Sequence, residues 1–195
     1  SILECIAERG GRFKLTPLSK ELHLPTSTLH RLLSTLVDLG YLVQDPASGE
    51  YMLGLKLLYL SGTVLKHLDL RKTARPYLKE LRDLTGETAN LVVLDFEEVL
   101  YVEKAESNSS VRVFSLIGRR APVYATGAGK VLAADLAWSD VLQILEKAGM
   151  SKLTNNTICD VKKFMKELDR VRIQGYALDN EECEQGAFCI AAPVR

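Results

Sequence analysis

A chain of 195 residues, 47% hydrophobic and 26% charged, lies in the globular range and is long enough for one or two domains with a real core. Its 25 basic and 25 acidic residues cancel, so net charge offers no argument for nucleic acid, and no run of about eighteen apolar residues offers one for a membrane. No secretory signal is visible, which makes the cytoplasm the expected location; the chain opens on Ser1 rather than Met, so a natural start is expected upstream.

Local charge departs from the total. From Arg9 to Thr35, the bases Arg9, Arg12, Lys14, Lys20 and Arg31 face one acid, Glu21. That is the footprint of a segment that meets phosphate. Thr16-Pro17 predicts a helix start, with Thr as cap and Pro at the first helical position, over Pro17–Leu22. His23-Leu24-Pro25 predicts a tight turn. A second helix is predicted over Pro25–Leu39, with Leu29, Leu32, Leu33, Leu36 and Leu39 on one face. The other face carries Thr26, Ser27, Thr28, His30, Arg31, Ser34 and Thr35 and no carboxylate. Short donors and a cation without an acid suit a helix entering a DNA groove. Gly40 predicts the stop. Tyr41–Val43 and Tyr51–Leu53 predict a hairpin around the Asp45–Gly49 turn. A leucine-backed surface helix is the plainer alternative. Helix, turn, helix and hairpin in this order favour a winged helix-turn-helix over residues 1–54.

Residues 55–68 predict a leucine-rich helix, either a linker that supports dimerisation or a simple packing helix. Leu70–Thr85 predicts another, capped by Asp69, with Pro76 expected to kink it or mark its true start. Strand-like runs follow at Ala89–Asp95, Val99–Glu103 and Val111–Leu116. Helices are predicted at Gly129–Leu136, Asp140–Ala148 and Val161–Gln174, then strands at Tyr176–Asp179 and Ala187–Val194. This pattern predicts an α+β domain over 69–195, an antiparallel sheet with helices.

Chemistry in that second domain is restricted. His23, His30 and His67 are the only histidines, so residues 68–195 can build neither a Ser-His or Cys-His nucleophile nor a histidine metal site. Cys5, Cys159, Cys183 and Cys189 form no C-x2-C pair and read as reduced thiols. No enzymatic role, cofactor or metal is expected. Thr126-Gly127-Ala128-Gly129-Lys130 ahead of a helix offers small residues and backbone N–H groups to an anion, which points to a small carboxylate ligand. It is no phosphate-binding Walker loop, since Tyr124 and Val131 stand where Gly and Ser/Thr are required. A tight turn that needs Gly for packing is the alternative. Lys130 reads as a surface lysine or a carboxylate partner, and Glu181, Glu182 and Glu184 as a solvated face.

Many stretches in order carry a resemblance over nearly the whole chain. They are Leu24–Leu36, Gly40-Tyr41, Tyr51–Gly54, Ala74–Pro76, Thr85–Thr88, Gly118 with Ala121-Pro122, Tyr124–Ala133, Gly175-Tyr176, Asp179–Glu182 and Cys189–Pro193. With these motifs the chain resembles the IclR family of bacterial transcriptional regulators. The resemblance implies an N-terminal winged helix-turn-helix, a linker helix and a C-terminal effector-binding domain like the GAF/profilin-like sensor folds. It implies a homodimer or homotetramer on double-stranded operator DNA, read by Thr26, Ser27, Thr28, His30, Arg31 and Thr35. It implies effector contacts at Val113, Gly127, Ala128, Asp179, Ala187 and Cys189, with Asp179 accepting a ligand hydroxyl; a turn cap beside Asn180 is the plainer alternative for that acid. The implied function is a repressor of a catabolic operon controlled by a small organic acid. The family pattern continues past Arg195 with a further strand and helix, so part of the pocket is expected to lie beyond this segment.

Overall fold

The computed structural model describes residues 1–108 and 115–194, and the chain divides into two compact units, Ser1–Leu68 and Asp69–Arg195. The first unit runs α1 (Ile2–Glu8), β1 (Arg12–Phe13), α2 (Leu15–Glu21), α3 (Thr26–Asp38), β2 (Leu42–Gln44), β3 (Tyr51–Leu53) and α4 (Lys56–His67). Its three strands are antiparallel in the order β1-β3-β2, so the wing gains a third strand on its outer edge. Ser1 and Glu4 close a reciprocal cap on α1, a helix too short to betray itself by periodicity. Helix α2 begins two residues before the expected Pro17, and Lys14 rather than Thr16 is its N-cap. Pro17 still lies in the first turn, where its missing N–H costs nothing.

Ile6, Phe13, Leu18, Leu29, Leu33, Leu42 and Tyr51 form the core of this unit. The buried stripe of α3 is narrower than its leucine pattern predicts. Leu29 and Leu33 are buried, whereas Leu32 and Leu39 are exposed. At the end of α3 the chain is pinned. A Cβ on Gly54 would lie 2.3 Å from the Gly40 carbonyl oxygen, and the Gly54 N–H donates to Tyr41 O at 2.7 Å. Lys56 Nζ donates to Leu39 O at 2.9 Å, near the C-terminal end of α3, and stands 4.6 Å from the centroid of the Tyr41 ring. The first residue of α4 is thereby fastened to the end of α3.

The second unit runs α5 (Asp69–Thr85), β4 (Ala89–Asp95), β5 (Glu98–Ala105), β6 (Arg120–Pro122), a 3-10 turn (Val123–Ala125), α6 (Gly127–Ala134), α7 (Trp138–Ala148), α8 (Val161–Gln174), β7 (Ala177–Asn180) and β8 (Phe188–Ala191). Strands β4, β5 and β6 form one antiparallel sheet, and β7 and β8 a separate hairpin. Helix α5 starts at Asp69 and passes through Pro76 as one element, so Pro76 does not mark its start. Most of the strand expected at Val111–Leu116 lies outside the described residues. Helix α6 starts at Gly127, two residues early, because Thr126 is its N-cap and accepts the Gly129 N–H at 3.1 Å.

The core of this unit gathers Val99, Val123, Ala125, Ala133, Val141, Phe164, Leu168 and Ala177, each fully or almost fully buried. Arg172 of α8 ties three helices together. Its Nε donates to Ala134 O at 2.6 Å and its Nη2 to Leu136 O at 2.9 Å, satisfying carbonyls at the end of α6. Its guanidinium also stacks 3.5 Å over the Trp138 ring at the start of α7. No described helix is long and apolar enough to cross a membrane.

The Gly54 contact generates a stability prediction. Gly54→Ala is expected to cost the first unit about 1–3 kcal/mol, the usual scale for forced overpacking. Urea denaturation followed by circular dichroism checks it, and an unchanged midpoint refutes it.

Candidate functional site

In the first unit, α3 presents the polar face that the sequence predicts. Thr26, Ser27, His30, Arg31, Ser34 and Thr35 are exposed, and Thr28 is half-buried. Two hydroxyls are partly committed within the fold. Thr35 Oγ1 donates to Arg31 O at 3.0 Å. Thr26 Oγ1 lies 3.2 Å from Ser19 Oγ, and Ser19 in turn donates to Leu24 O at 2.7 Å. Those bonds fix the turn between α2 and α3, where His23 takes a positive φ of 51°. Ser27, His30, Arg31 and Ser34 make no such bonds among the described residues, so they are the donors available to a partner. No acid lies in the first turn of α3, which leaves its N-terminal N–H groups attractive to phosphate.

In the second unit, α6 is the organising element. Gly127 and Gly129 are required sterically to different degrees. A Cβ on Gly129 would meet Val123 O at 2.2 Å and Val123 Cα at 2.6 Å. One on Gly127 would meet Cys189 Sγ at 3.3 Å and Ala177 O at 3.5 Å. The packing reading of this Gly pair therefore holds outright for Gly129, whereas Gly127 lies against β7 and β8 with little to spare. Position i+3 from Gly127 is Lys130, and it is no surface lysine: its side chain is 1% exposed. Its Nζ donates to Leu178 O at 2.8 Å and to Glu182 Oε1, with Glu167 of α8 at 4.0 Å. The expected solvated acidic face is corrected at the same point, since Glu182 is buried. Its other oxygen, Oε2, is buried with no hydrogen-bond partner among the described residues.

Asp179 is buried and its Oδ1 accepts the Glu182 N–H at 2.8 Å, so the turn-cap reading is realised in the fold. Burial raises its carboxyl above the usual range, against the pull of the Glu182 and Cys183 amides and of Lys130. Glu182 is raised for the same reason, despite its bond to Lys130. Cys189, paired with Asp179 across the hairpin, is open to solvent on one side while its sulfur nests against Gly127. Partial burial and the Asp179 charge push its thiol up to about 11, so it stays protonated and unreactive at neutral pH. Ala128 is half-buried in the first turn of α6, and Ala187 lies in the loop before β8, its N–H donating to Glu184 O at 3.1 Å. Val113 lies outside the described residues.

Residues that the sequence did not single out complete the site. Tyr101 of β5 is half-buried, and burial raises its hydroxyl, with the Arg119 charge pulling the other way. The loop 152–157 clips the turn after β7. Thr154 Oγ1 donates to Glu181 O at 2.6 Å, Asn156 Nδ2 to Asn180 O at 2.9 Å and Thr157 Oγ1 to Glu182 O at 2.7 Å. An open cleft of about 800 Å3 lies between this loop and residues 181–185, bordered by Thr154, Asn156, Glu181, Cys183 and Glu184. It flanks the Gly127–Asp179–Cys189 cluster and shares none of those residues. Among the described residues, no group of three His, Cys, Asp or Glu side chains is placed to hold a metal.

Comparison with known proteins places both units. Residues 1–46 match the IclR helix-turn-helix domain, and residues 62–195 match the bacterial transcriptional regulator IclR C-terminal domain. The chain is 42% identical to the HTH-type transcriptional regulator XynR of Escherichia coli over 193 residues, covering 99% of this chain and 77% of that one. It is 41% identical to the HTH-type transcriptional regulator KdgR of Escherichia coli over 196 residues, with 99% and 73% covered. Among solved structures, an IclR homologue from Microbacterium hydrocarbonoxydans complexed with 4-hydroxybenzoate superposes with a TM-score of 0.77 at 26% identity, covering 95% of this chain and 76% of that one. These relatives are named regulators, not enzymes.

The raised carboxyl of Asp179 predicts a pH effect. The folded chain holds this proton more tightly than the unfolded chain does, so the group's contribution is full below the unfolded value of 3.8 and is lost as pH rises through the folded one. Asp179→Asn keeps an oxygen for the Glu182 N–H and removes the buried charge. Its stability relative to wild type is therefore expected to improve from pH 4 to pH 7, read by thermal unfolding at both. A difference independent of pH refutes the assignment.

Proposed function

The chain belongs to the IclR family of bacterial transcriptional regulators, and we propose that it is a cytoplasmic repressor of a catabolic operon whose hold on operator DNA is set by a small organic acid. It is a helix-turn-helix DNA-binding regulator. In the proposed division of labour residues 1–54 read DNA, 55–68 link and 69–195 bind the effector, and the compact units part at Leu68.

The observation that carries the reading is the face of α3. Its hydroxyls, imidazole and guanidinium stand exposed on a helix anchored by Leu29 and Leu33, with no carboxylate among them. Two protomers of a homodimer, or of a homotetramer, set these helices in successive major grooves of a palindromic operator. Thr26, Ser27, Thr28, His30, Arg31 and Thr35 face the DNA, with Thr26 and Thr35 restricted by their internal hydrogen bonds. The effector lies against Gly127, Ala128, Asp179, Ala187 and Cys189, with Val113 as an apolar wall. An acid suits the N-terminal end of α6, and the 4-hydroxybenzoate complex of a homologue supports a carboxylate of that size. For the effector to regulate, it must bind the DNA-competent and DNA-incompetent states with different affinity.

The test is fluorescence anisotropy on DNA upstream of the protein's own gene, across a salt series, with and without a panel of small organic acids. Tight, salt-sensitive binding altered by one acid is expected. Arg31→Ala is expected to weaken operator binding by about 1–3 kcal/mol if its guanidinium reads a base. Wild-type affinity in that variant removes Arg31 from the interface. Binding without sequence preference under every condition refutes the operator reading, and the winged helix is then a protein-docking module.

A further inference from the structure

We infer that effector binding is coupled to proton uptake: Asp179 takes up a proton from solvent when a carboxylate ligand enters, and the acid is then held with one proton shared between the two carboxyl groups. The inference rests on the effector site just proposed.

Strand register puts Asp179 beside the entering acid. Ala177 pairs with Ala191 and Asp179 with Cys189, so these four side chains share one face of the β7–β8 hairpin. That face lies against the start of α6. A Cβ on Gly127 would meet Cys189 Sγ at 3.3 Å, Ala177 O at 3.5 Å and Ala191 Cβ at 3.5 Å. Thr126 Oγ1 takes the Gly129 N–H, and the Gly127 N–H acts on the Cys189 sulfur. The Ala128 N–H is then the donor of the first turn left for a ligand carboxylate, which meets the buried Asp179 on the facing hairpin.

The cluster is already rich in carboxylate. Lys130 is the cation that acts on Asp179, and it is committed to Glu182 and Leu178 O, with Glu167 at 4.0 Å. Glu182 Oε2 is buried with no hydrogen-bond partner among the described residues, so donors fall short before any ligand arrives. A ligand carboxylate is one more anion, and like charges this close in a buried site do not all stay ionised. Two further charges face the cluster: Glu167 of α8, paired with Arg170, and Arg119, whose guanidinium acts on Tyr101 and Cys183. The Tyr101 hydroxyl and the Cys183 and Cys189 thiols are all pushed up, hold their protons at neutral pH and can accept no other. Glu182 has the Lys130 ammonium to favour its charge. The ligand has the end of α6 to favour its own. Asp179 is left, and burial already works against its charge. Its Oδ1 accepts the Glu182 N–H, so the proton goes to Oδ2 and is donated to the ligand.

Uptake on binding means that the acid binds more tightly as pH falls. The test is calorimetric titration of the full chain with 4-hydroxybenzoate, benzoate and lactate, whose own carboxyls stay ionised from pH 6 to pH 8. Acid affinity is expected to fall about tenfold or more across that range, with uptake of about 0.5–1 proton per ligand, read from the difference in heat between Hepes and Tris at pH 7.5. The amide of whichever acid binds brings no charge and is expected to bind equally at both ends of the range. Asp179→Asn keeps the oxygen that caps the turn and offers a permanent N–H in place of the acquired proton. It is expected to bind the acid without uptake, independently of pH, and more tightly than wild type at pH 8. Acid binding by wild type with no uptake and no pH dependence overturns the inference and leaves the site reading intact. Uptake that persists in Asp179→Asn overturns it too, and so does a folded Asp179→Asn that binds no acid, since the ionised carboxylate is then what the ligand requires. If wild type binds none of the three acids, the carboxylate reading of the site falls, and this inference with it.

Discussion

The ammonium of Lys130 is taken out of water and held by one carbonyl and one carboxylate, and the second unit is arranged around that fact. Its pairing joins three elements: α6, which carries the lysine, β7, which supplies Leu178 O, and the following turn, which supplies Glu182. Burying both charges is unfavourable in itself, and the pair contributes little to net stability. Its effect is directional, since removal of either partner strands the other at a cost of about 3–5 kcal/mol. Helix α6 and the β7 turn are therefore bound to one relative placement. Because Asp179 caps that same turn by accepting the Glu182 N–H, its carboxyl is oriented by a structural constraint.

Around this fixed centre the unit contains parts of graded firmness. Arg172 fastens the far end of α6 to α7 and α8 with three interactions on one guanidinium. The 152–157 loop holds the backbone of the β7 turn through side-chain donors, which can yield without breaking a sheet. Farther along that turn, the pair of Glu184 with Arg119 is exposed and weak. The core thus keeps its geometry while the rim retains alternatives, a combination that suits a site whose occupancy must be felt elsewhere.

Much of this was legible in the residues and some was not, for identifiable reasons. The α3 leucines, Gly40 and the Asp45–Gly49 turn outline the reader because local rules and tertiary packing agree there. The exposed Leu32 and Leu39 show that a leucine pattern gives the direction of the buried face but not its width. Helix α1 and strand β1 are too short for periodicity to register. Pro76 reads as a kink or a start, yet α5 begins at Asp69 and continues through it while packing on β4 and β5. In the site, Gly127 and Asp179 were marked by small size and by charge. Of the two readings open for Lys130 the carboxylate partner is the one realised, and Glu182 is buried rather than solvated, because solvation is the default for both residue types and only a partner 52 positions away reverses it. Tyr101 carries no local signal; its place follows from strand register.

The pinned junction between α3 and α4 has a consequence for recombination. Gly54 admits no side chain against Gly40, and Lys56 grips the end of the reading helix, so α4 is mechanically part of the reader. A seam drawn after the wing, at residue 54, would separate two surfaces shaped for each other. The transferable module ends at Leu68, where the compact unit itself ends. Exchange of DNA specificity between relatives of this chain, in the laboratory or over evolutionary time, is then conservative only when the helix travels with the hand that it holds.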